Sequence, residues 1–267
     1  MANTPLQDYP ERSLWTTWAI SYQAIRDQHK HTANLLLLWS FLDNKDLWHG
    51  LLAAPCKRSA VAARMLSGWV GDIASNEIKF SNAMGLLRRY SLVEVAVEAT
   101  GTISYATHLV VHKWAHHSQS KCFATELSQL AIVAVGWAVP ESSTRDYTAL
   151  QRRLLPHAQA CSRQIVKSKA VWHGRAEIGS DRDVNEGEER ETVLDAVHVL
   201  GLLYYDQGRL GDAEQMYLRA LRGYEEALGV GHSSTLNTVN NLGILYKNQG
   251  MLGEAEKMYA RALLGYE

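Results

Sequence analysis

At 267 residues, with 46% hydrophobic and 21% charged residues, the chain is long enough for one to three small domains of roughly 100–200 residues, each with a real core. A formal net charge of -1 argues against a dedicated nucleic-acid binder, which would carry a basic face. Three scattered cysteines (Cys56, Cys122 and Cys161) without CxxC spacing argue against a disulfide framework or a zinc ribbon and fit a reducing, cytoplasmic setting.

In chain order, the N-terminal 13 residues show no basic stretch followed by an apolar one, so no secretory signal is visible. Leu14, Trp18, Tyr22 and Ile25 mark one face of an amphipathic helix. Ala33 to Leu42 is apolar nearly all round and predicts a central buried helix. Asp43 and Asn44 break it. Short helices follow over Leu47–Ala54, Ser59–Ile73 and Ser81–Tyr90. The period then changes: Leu92–Val97 and Thr102–Thr107, around the turn signal Ala99-Thr100-Gly101-Thr102, predict a β-hairpin. Helix returns over His108–His117. Glu126–Val139 predicts an apolar helix stopped at Pro140, and Tyr147–Leu155 and His157–Trp172 give two more. The apolar runs within Leu35–Trp39 and Leu130–Val139 are far shorter than the roughly 20 residues of a membrane span. Gly174 to Glu188 is charged and aperiodic and reads as a loop or linker, with the Glu186–Glu191 acidic run a solvated helix start.

The C-terminal third repeats itself. Leu200–Glu225 and Leu242–Glu267 match in register, residue 200 against 242, with Leu, Gly, Tyr, Gly, Ala, Tyr and Ala at the same places. A fixed period of this size is the mark of a solenoid. Leu200, Leu203 and Tyr204 are expected to face Ala213, Met216, Tyr217 and Ala220 of the next helix. Gly201 and Ala213 allow close backbone approach. Gly208 ends the first helix through its tolerance of positive φ. Leu242, Gly243, Tyr246, Gly250, Ala255, Tyr259 and Ala262 take the same roles.

This pattern, L-G-x-x-Y…G…A-x-x-x-Y-x-x-A occurring twice, resembles the tetratricopeptide repeat. The longer period and the connector LGVGHSSTL resemble the repeats of kinesin light chains, with His232-Ser233 where those have His-Pro. The resemblance implies a concave groove lined by first helices, here Asp195, His198, Leu202, Tyr205 and Asp206, then Asn237, Asn240, Asn241, Ile244, Lys247 and Asn248. Asn240-Asn241 is similar to the Asn-Asn-Leu signature of kinesin light chains, whose amides can bond a peptide backbone. The bland alternative at each position is a solvated polar side chain.

Upstream, TWAISYQAI, LLLLWSFLDNKDLWHGLL, FSNAMGLLRRYSLVEV, YATHLVVHKWAH and RLLPHAQ, in that order, resemble the region after the nucleotide-binding module of fungal NLR-like STAND proteins (NB-ARC followed by tetratricopeptide repeats). The resemblance implies a winged-helix domain, and it matches His112 of Val111-His112-Lys113 to that family's nucleotide-sensing His, with Lys113 where the family has Asp. No G-x-x-x-x-G-K-[ST] occurs in the sequence, so no NTPase site of its own is expected.

His108, His112 and His116 share a helix face as metal ligands would, but no HExxH accompanies them, and packing is the alternative. Arg88-Arg89 could touch nucleic acid or simply end a helix in solvent. No GxSxG and no nucleophile–base spacing is present. The eight tryptophans read as packing anchors.

The expectation is a mainly α protein: a winged-helix-like domain with one β-hairpin, a helical bridge, then an α-solenoid of tetratricopeptide repeats. Its parts are a linker helix (1–30), the winged-helix-like domain (31–117), a bridge that could be a degenerate repeat (118–178), an acidic linker (179–190) and about two repeats (191–267). It is expected to be no enzyme, to need no cofactor or metal, and to touch neither nucleic acid nor membrane. The expected role is a protein-interaction scaffold of an NLR-like signalling protein, binding a protein or peptide in the groove and contacting a nucleotide-binding domain in cis or in trans. A kinesin-light-chain-like cargo adaptor and a regulatory subunit acting in trans are the alternatives.

Overall fold

The computed structural model describes residues 9–97, 103–167 and 182–266. Among them are twelve α-helices and one two-stranded hairpin.

The first half runs α1 (Tyr9–Gln28), α2 (Lys30–Trp39), α3 (His49–Arg58), α4 (Ala60–Val70), a 3-10 turn at Gly71–Ile73, α5 (Glu77–Arg89), β1 (Glu94–Val97), β2 (Ile103–Ala106) and α6 (Leu109–His117). Side chains end the helices as the sequence dictates. Ser59 Oγ accepts the Ala62 amide at the start of α4, and Asn76 Oδ1 accepts the Lys79 amide at the start of α5. α2 is buried from Thr32 to Trp39, as an all-round apolar helix must be. β1 and β2 pair antiparallel, Glu94 opposite Ala106 and Val97 opposite Ile103. The predicted turn at Ala99–Thr102 lies outside the described residues.

One pairing was invisible in the sequence. Leu47 and Tyr105 exchange backbone bonds of 2.9 Å in both directions, and the Thr107 amide donates to the Asn44 carbonyl at 2.8 Å. The hairpin thus gains a one-residue third strand, and helices followed by such a wing are the winged-helix outline. Leu47 sits among Asn44, Lys45 and Asp46, a turn composition with no β pattern, so the reading there was the start of a helix. That helix, α3, instead begins at His49.

α7 (Lys121–Ala138) joins the halves. Leu127 and every residue from Leu130 to Gly136 are buried, and the helix packs on α2, α3 and α4 as well as on α8 (Tyr147–Lys167) and α9 (Arg182–Asp206). Its contact with α9 is backbone to backbone: a methyl group placed on Gly136 would lie 2.6 Å from the Cα and carbonyl oxygen of Ala196. Trp137 Nε1 donates to the Thr192 carbonyl at 3.1 Å. On the other side Arg58 donates to the Val139 carbonyl beyond the helix end.

α8 is one continuous helix, not two segments broken at Pro156 as read from the sequence. The proline removes a single amide donor, while buried Leu154, Ala158, Cys161 and Ile165 hold the chain helical on both sides. This helix clasps the loop between α2 and α3. Arg153 donates to both carboxylate oxygens of Asp46 at 2.7 and 2.6 Å, with its guanidinium 3.9 Å from the centre of the Trp48 ring. His157 accepts the Asp43 amide on Nδ1 and donates from Nε2 to the Asp46 carbonyl, both at 3.2 Å. Asp46 itself has φ 56°, a left-handed conformation.

The repeats are α9–α10 (Leu210–Leu228) and α11 (Ser233–Asn248)–α12 (Leu252–Tyr266). Of the stretch 179–190, read as an acidic linker, residues 182–190 are the first turns of α9 and 179–181 lie outside the described residues. Their Glu and Arg residues form helix readily, acidic side chains there suit the helix dipole, and Glu188 reaches Arg64 of α4 at 2.9 Å. Gly208 and Gly250 take φ of 70° and 79° at equivalent places. Behind each, the next amide donates back to Tyr204 or Tyr246 at 2.9 Å, closing the same C-terminal turn twice. Methyl groups on Gly201 and Gly243 would meet the Tyr217 and Tyr259 rings at 2.6 and 2.7 Å, so both pairs need glycine.

Three substitutions test this architecture against denaturant. Gly136→Ala pushes α7 from α9 and is expected to cost about 1–3 kcal/mol, whereas Gly68→Ala on the open face of α4 is expected to gain about 0.5–1 kcal/mol. Arg153→Ala strands Asp46 and is expected to cost about 3 kcal/mol. An unchanged unfolding midpoint for it would show that the clasp contributes nothing.

Candidate protein-binding site

The candidate residues sit on α9 and α11, whose equivalent faces lie side by side. The structure divides them into two groups. Some bond across to neighbouring helices. Asp195 accepts the Tyr224 hydroxyl of α10 at 2.5 Å, and burial pushes its carboxyl above the usual range. Asp206 accepts from the Tyr147 hydroxyl, and from Gln151 Nε2 at 2.8 Å, so it ties α9 to α8. Asn248 Nδ2 donates to the Tyr205 hydroxyl. Leu202, Asn240 and Ile244 are half-buried, and Asn237 and Lys247 are exposed.

His198 is the centre of the first group. Its Nδ1 lies 2.9 Å from Thr238 Oγ1, and Asn241 Nδ2 lies 3.0 Å from its Nε2. Thr238 Oγ1 donates onward to the Ser234 carbonyl at 2.8 Å. The amide therefore donates to Nε2 and Nδ1–H donates to the hydroxyl, a pattern only the neutral ring satisfies. The Tyr217 ring packs 5.4 Å away. Burial lowers the His198 pKa to about 4. Asn241, read as a peptide clamp, is thus engaged with His198.

The three histidines at 108, 112 and 116 make bonds within the fold. His112 Nε2 donates to the Trp39 and Leu42 carbonyls at 3.2 and 3.1 Å, closing the end of α2, and burial lowers its pKa. His116 Nδ1 meets the Ser40 carbonyl at 3.1 Å. His108 caps α6, accepting the Val110 amide at 3.3 Å. Among the described residues no cluster of His, Cys, Asp or Glu could hold a metal ion, and no helix is long and apolar enough to cross a membrane. Arg88 and Arg89 are exposed in the last turn of α5. Of the tryptophans, Trp39, Trp48 and Trp114 are buried and Trp15 is exposed.

Sequence reasoning missed His157, Arg153 and the network around Thr238. The motif RLLPHAQ carried the first two, but only the fold shows what they grip.

Paired antiparallel helices stacked by glycine–tyrosine contacts, with polar side chains along the first helix of each pair, define a helical-repeat protein. Residues 192–267 match the tetratricopeptide repeat family model, so the chain contains tetratricopeptide repeats. No curated protein and no solved structure matches the chain.

The state of His198 has a measurable consequence. Its folded pKa lies below the unfolded value near 6.5, so its contribution to stability is full above pH 6.5 and is lost as pH falls towards about 4. Protonation would set Nε2–H against the Asn241 amide donor. Hydrogen exchange of α9 and α11 is expected to accelerate over that window, and His198→Gln is expected to flatten the dependence. The same acid sensitivity in the variant would move its origin elsewhere.

Proposed function

We propose that the chain is the protein-binding part of an NLR-like signalling system. The α9–α11 surface takes a segment of a partner protein, and the winged-helix-like region relays that event to a nucleotide-binding domain in cis or in trans. What carries the reading is the fixed joint between the two halves. α7 is packed between them, and the Arg153 and His157 clasp holds the loop of one to the helix of the other. A scaffold joined this tightly moves with what it binds. Within the surface, Leu202 and Ile244 offer apolar groups beside Asn237, while His198 with Asn241 and Tyr205 with Asn248 hold α9 to α11, and Asp195 and Asp206 hold α9 to Tyr224 of α10 and to Tyr147 and Gln151 of α8. Asn240 and Lys247 form the far edge.

Nucleotide binding belongs, in this reading, to the other module, since no phosphate-cradling loop occurs in the sequence.

Two measurements decide it. Proteins retained by the full chain are expected to be released in the Leu202→Ala, Ile244→Glu double variant; retention of the same set would remove the α9–α11 surface from the function. Titration of ATP, ADP and GTP into the full chain by calorimetry is expected to give no saturable heat, and a saturable isotherm would place the nucleotide site here.

A further inference from the structure

A cleft of about 890 Å³ opens between α1, α2, α4 and the first half of α7, within the range of about 300–1,000 Å³ typical of small-ligand sites. None of the candidate residues on α9 and α11 lines it. Two edge-to-face ring pairs wall it, Trp69 with Phe123 and Tyr22 with Trp114, each with centroids 5.9 Å apart. Trp69 is pinned from two sides: its indole donates to Glu126 at 3.1 Å, and its carbonyl accepts from buried Asn34 at 2.8 Å. Gly68 of α4 also lines the cleft, and a methyl group placed on it would meet nothing within 4 Å. No packing neighbour requires that glycine, although glycine weakens a helix interior; its effect is to keep the cleft open.

The charges of the cleft are divided between elements. Glu126 comes from α7 and half-buried Glu189 from the start of α9. Burial pushes the Glu189 carboxyl above the usual range; Arg64 offsets part of this, and Glu186, Glu126 and Glu188 add to it. Arg64 is itself bonded to Glu188 at 2.9 Å. This end therefore holds an excess of negative charge beside the Trp69 and Phe123 rings, a setting that favours an organic cation. The α1–α2 junction supplies the opposite sign. Arg26 and Lys30 line the cleft there, both exposed, and no carboxylate among the described residues forms an ion pair with either.

We propose that this cleft binds the C-terminal residue of a polypeptide that ends in arginine or lysine. The guanidinium or ammonium group lies at Glu126 and Glu189 against the Trp69 and Phe123 rings, and the terminal carboxylate pairs with Arg26 and Lys30. One ligand then answers both charges of the cleft. A simple amine would leave Arg26 and Lys30 without a counter-charge, and a simple carboxylate would leave Glu189 without one. A free basic amino acid shares this chemistry, but its α-ammonium would stand beside Arg26 and Lys30, where a peptide has a neutral amide.

The probe is an N-acetylated Gly-Gly-Arg tripeptide with a free carboxylate, titrated into the full chain at low salt and followed by calorimetry. Saturable binding is expected. The same peptide with a C-terminal amide, and one with citrulline in place of arginine, are each expected to bind at least about five-fold more weakly. Glu189→Gln is expected to erase the preference for arginine over citrulline while keeping that for carboxylate over amide. The Arg26→Gln, Lys30→Gln double variant is expected to do the reverse. A variant that merely unsettled the fold would weaken every peptide alike. Gly68→Leu, which fills the cleft, is expected to abolish binding without lowering the unfolding midpoint. The Leu202→Ala, Ile244→Glu double variant is expected to leave binding unchanged, which separates this site from the α9–α11 surface. Absence of saturable binding by the tripeptide would overturn the proposal, as would equal binding of the citrulline peptide or indifference to Gly68→Leu. Tighter binding of free L-arginine than of the tripeptide would overturn the peptide assignment in favour of the amino acid.

Discussion

The structure depends on the burial of the second half of α7 from every side. A helix with an apolar stripe can lie on a surface, but one that is apolar all round must be surrounded. Residues Leu130 to Gly136 leave the second half of α7 no solvent face, while Cys122, Phe123, Thr125 and Glu126 in its first half are exposed, so the chain must place structure on both flanks of the second half. The winged-helix-like region supplies α2, α3 and α4, and the solenoid supplies α9. Neither half presents a finished core without this helix. The closest approach, Gly136 against Ala196, shows how little tolerance remains at the junction.

Specific polar groups then set the relative orientation that hydrophobic burial alone leaves loose. Arg153 and His157 grip Asp46 and Asp43, Trp137 donates to Thr192, and Arg64 reaches Glu188. The buried histidines are neutral connectors, each spanning two elements, and burial holds the pKa values of His112, His157 and His198 low. Such groups are costly when unpaired and directional when paired, which suits them to fixing one arrangement of packed helices.

Much of this was legible in the sequence. The repeat was readable because each of its residues has a local job that recurs in register: Gly208 and Gly250 turn the chain, and Gly201 and Gly243 admit Tyr217 and Tyr259. The hairpin and the buried α2 and α7 followed from period and composition. What failed did so for tertiary reasons. The first turns of α9 have no apolar period because their anchor is an ion pair with α4. Pro156 looked like a break because the burial that overrides it is contributed by other helices. Leu47 pairs with Tyr105, 58 positions further along the numbering, beyond any local signal. At the candidate site the residue types were right, but whether Asn241 faces a ligand or His198 depends on a neighbouring helix that the motif does not describe.

The loop at Asp43–Trp48 is held twice, by α8 through side chains and by β2 through the Leu47–Tyr105 backbone pair. Held from both directions, it works as a mechanical linkage with no slack. The Arg153 fork and the Leu47–Tyr105 pair meet on adjacent residues, Asp46 being next to Leu47 in the chain. The solenoid and the wing, some hundred residues apart in sequence, are therefore joined by a short chain of bonded contacts: Asp206 of α9 to α8, α8 to this loop, and this loop to β2.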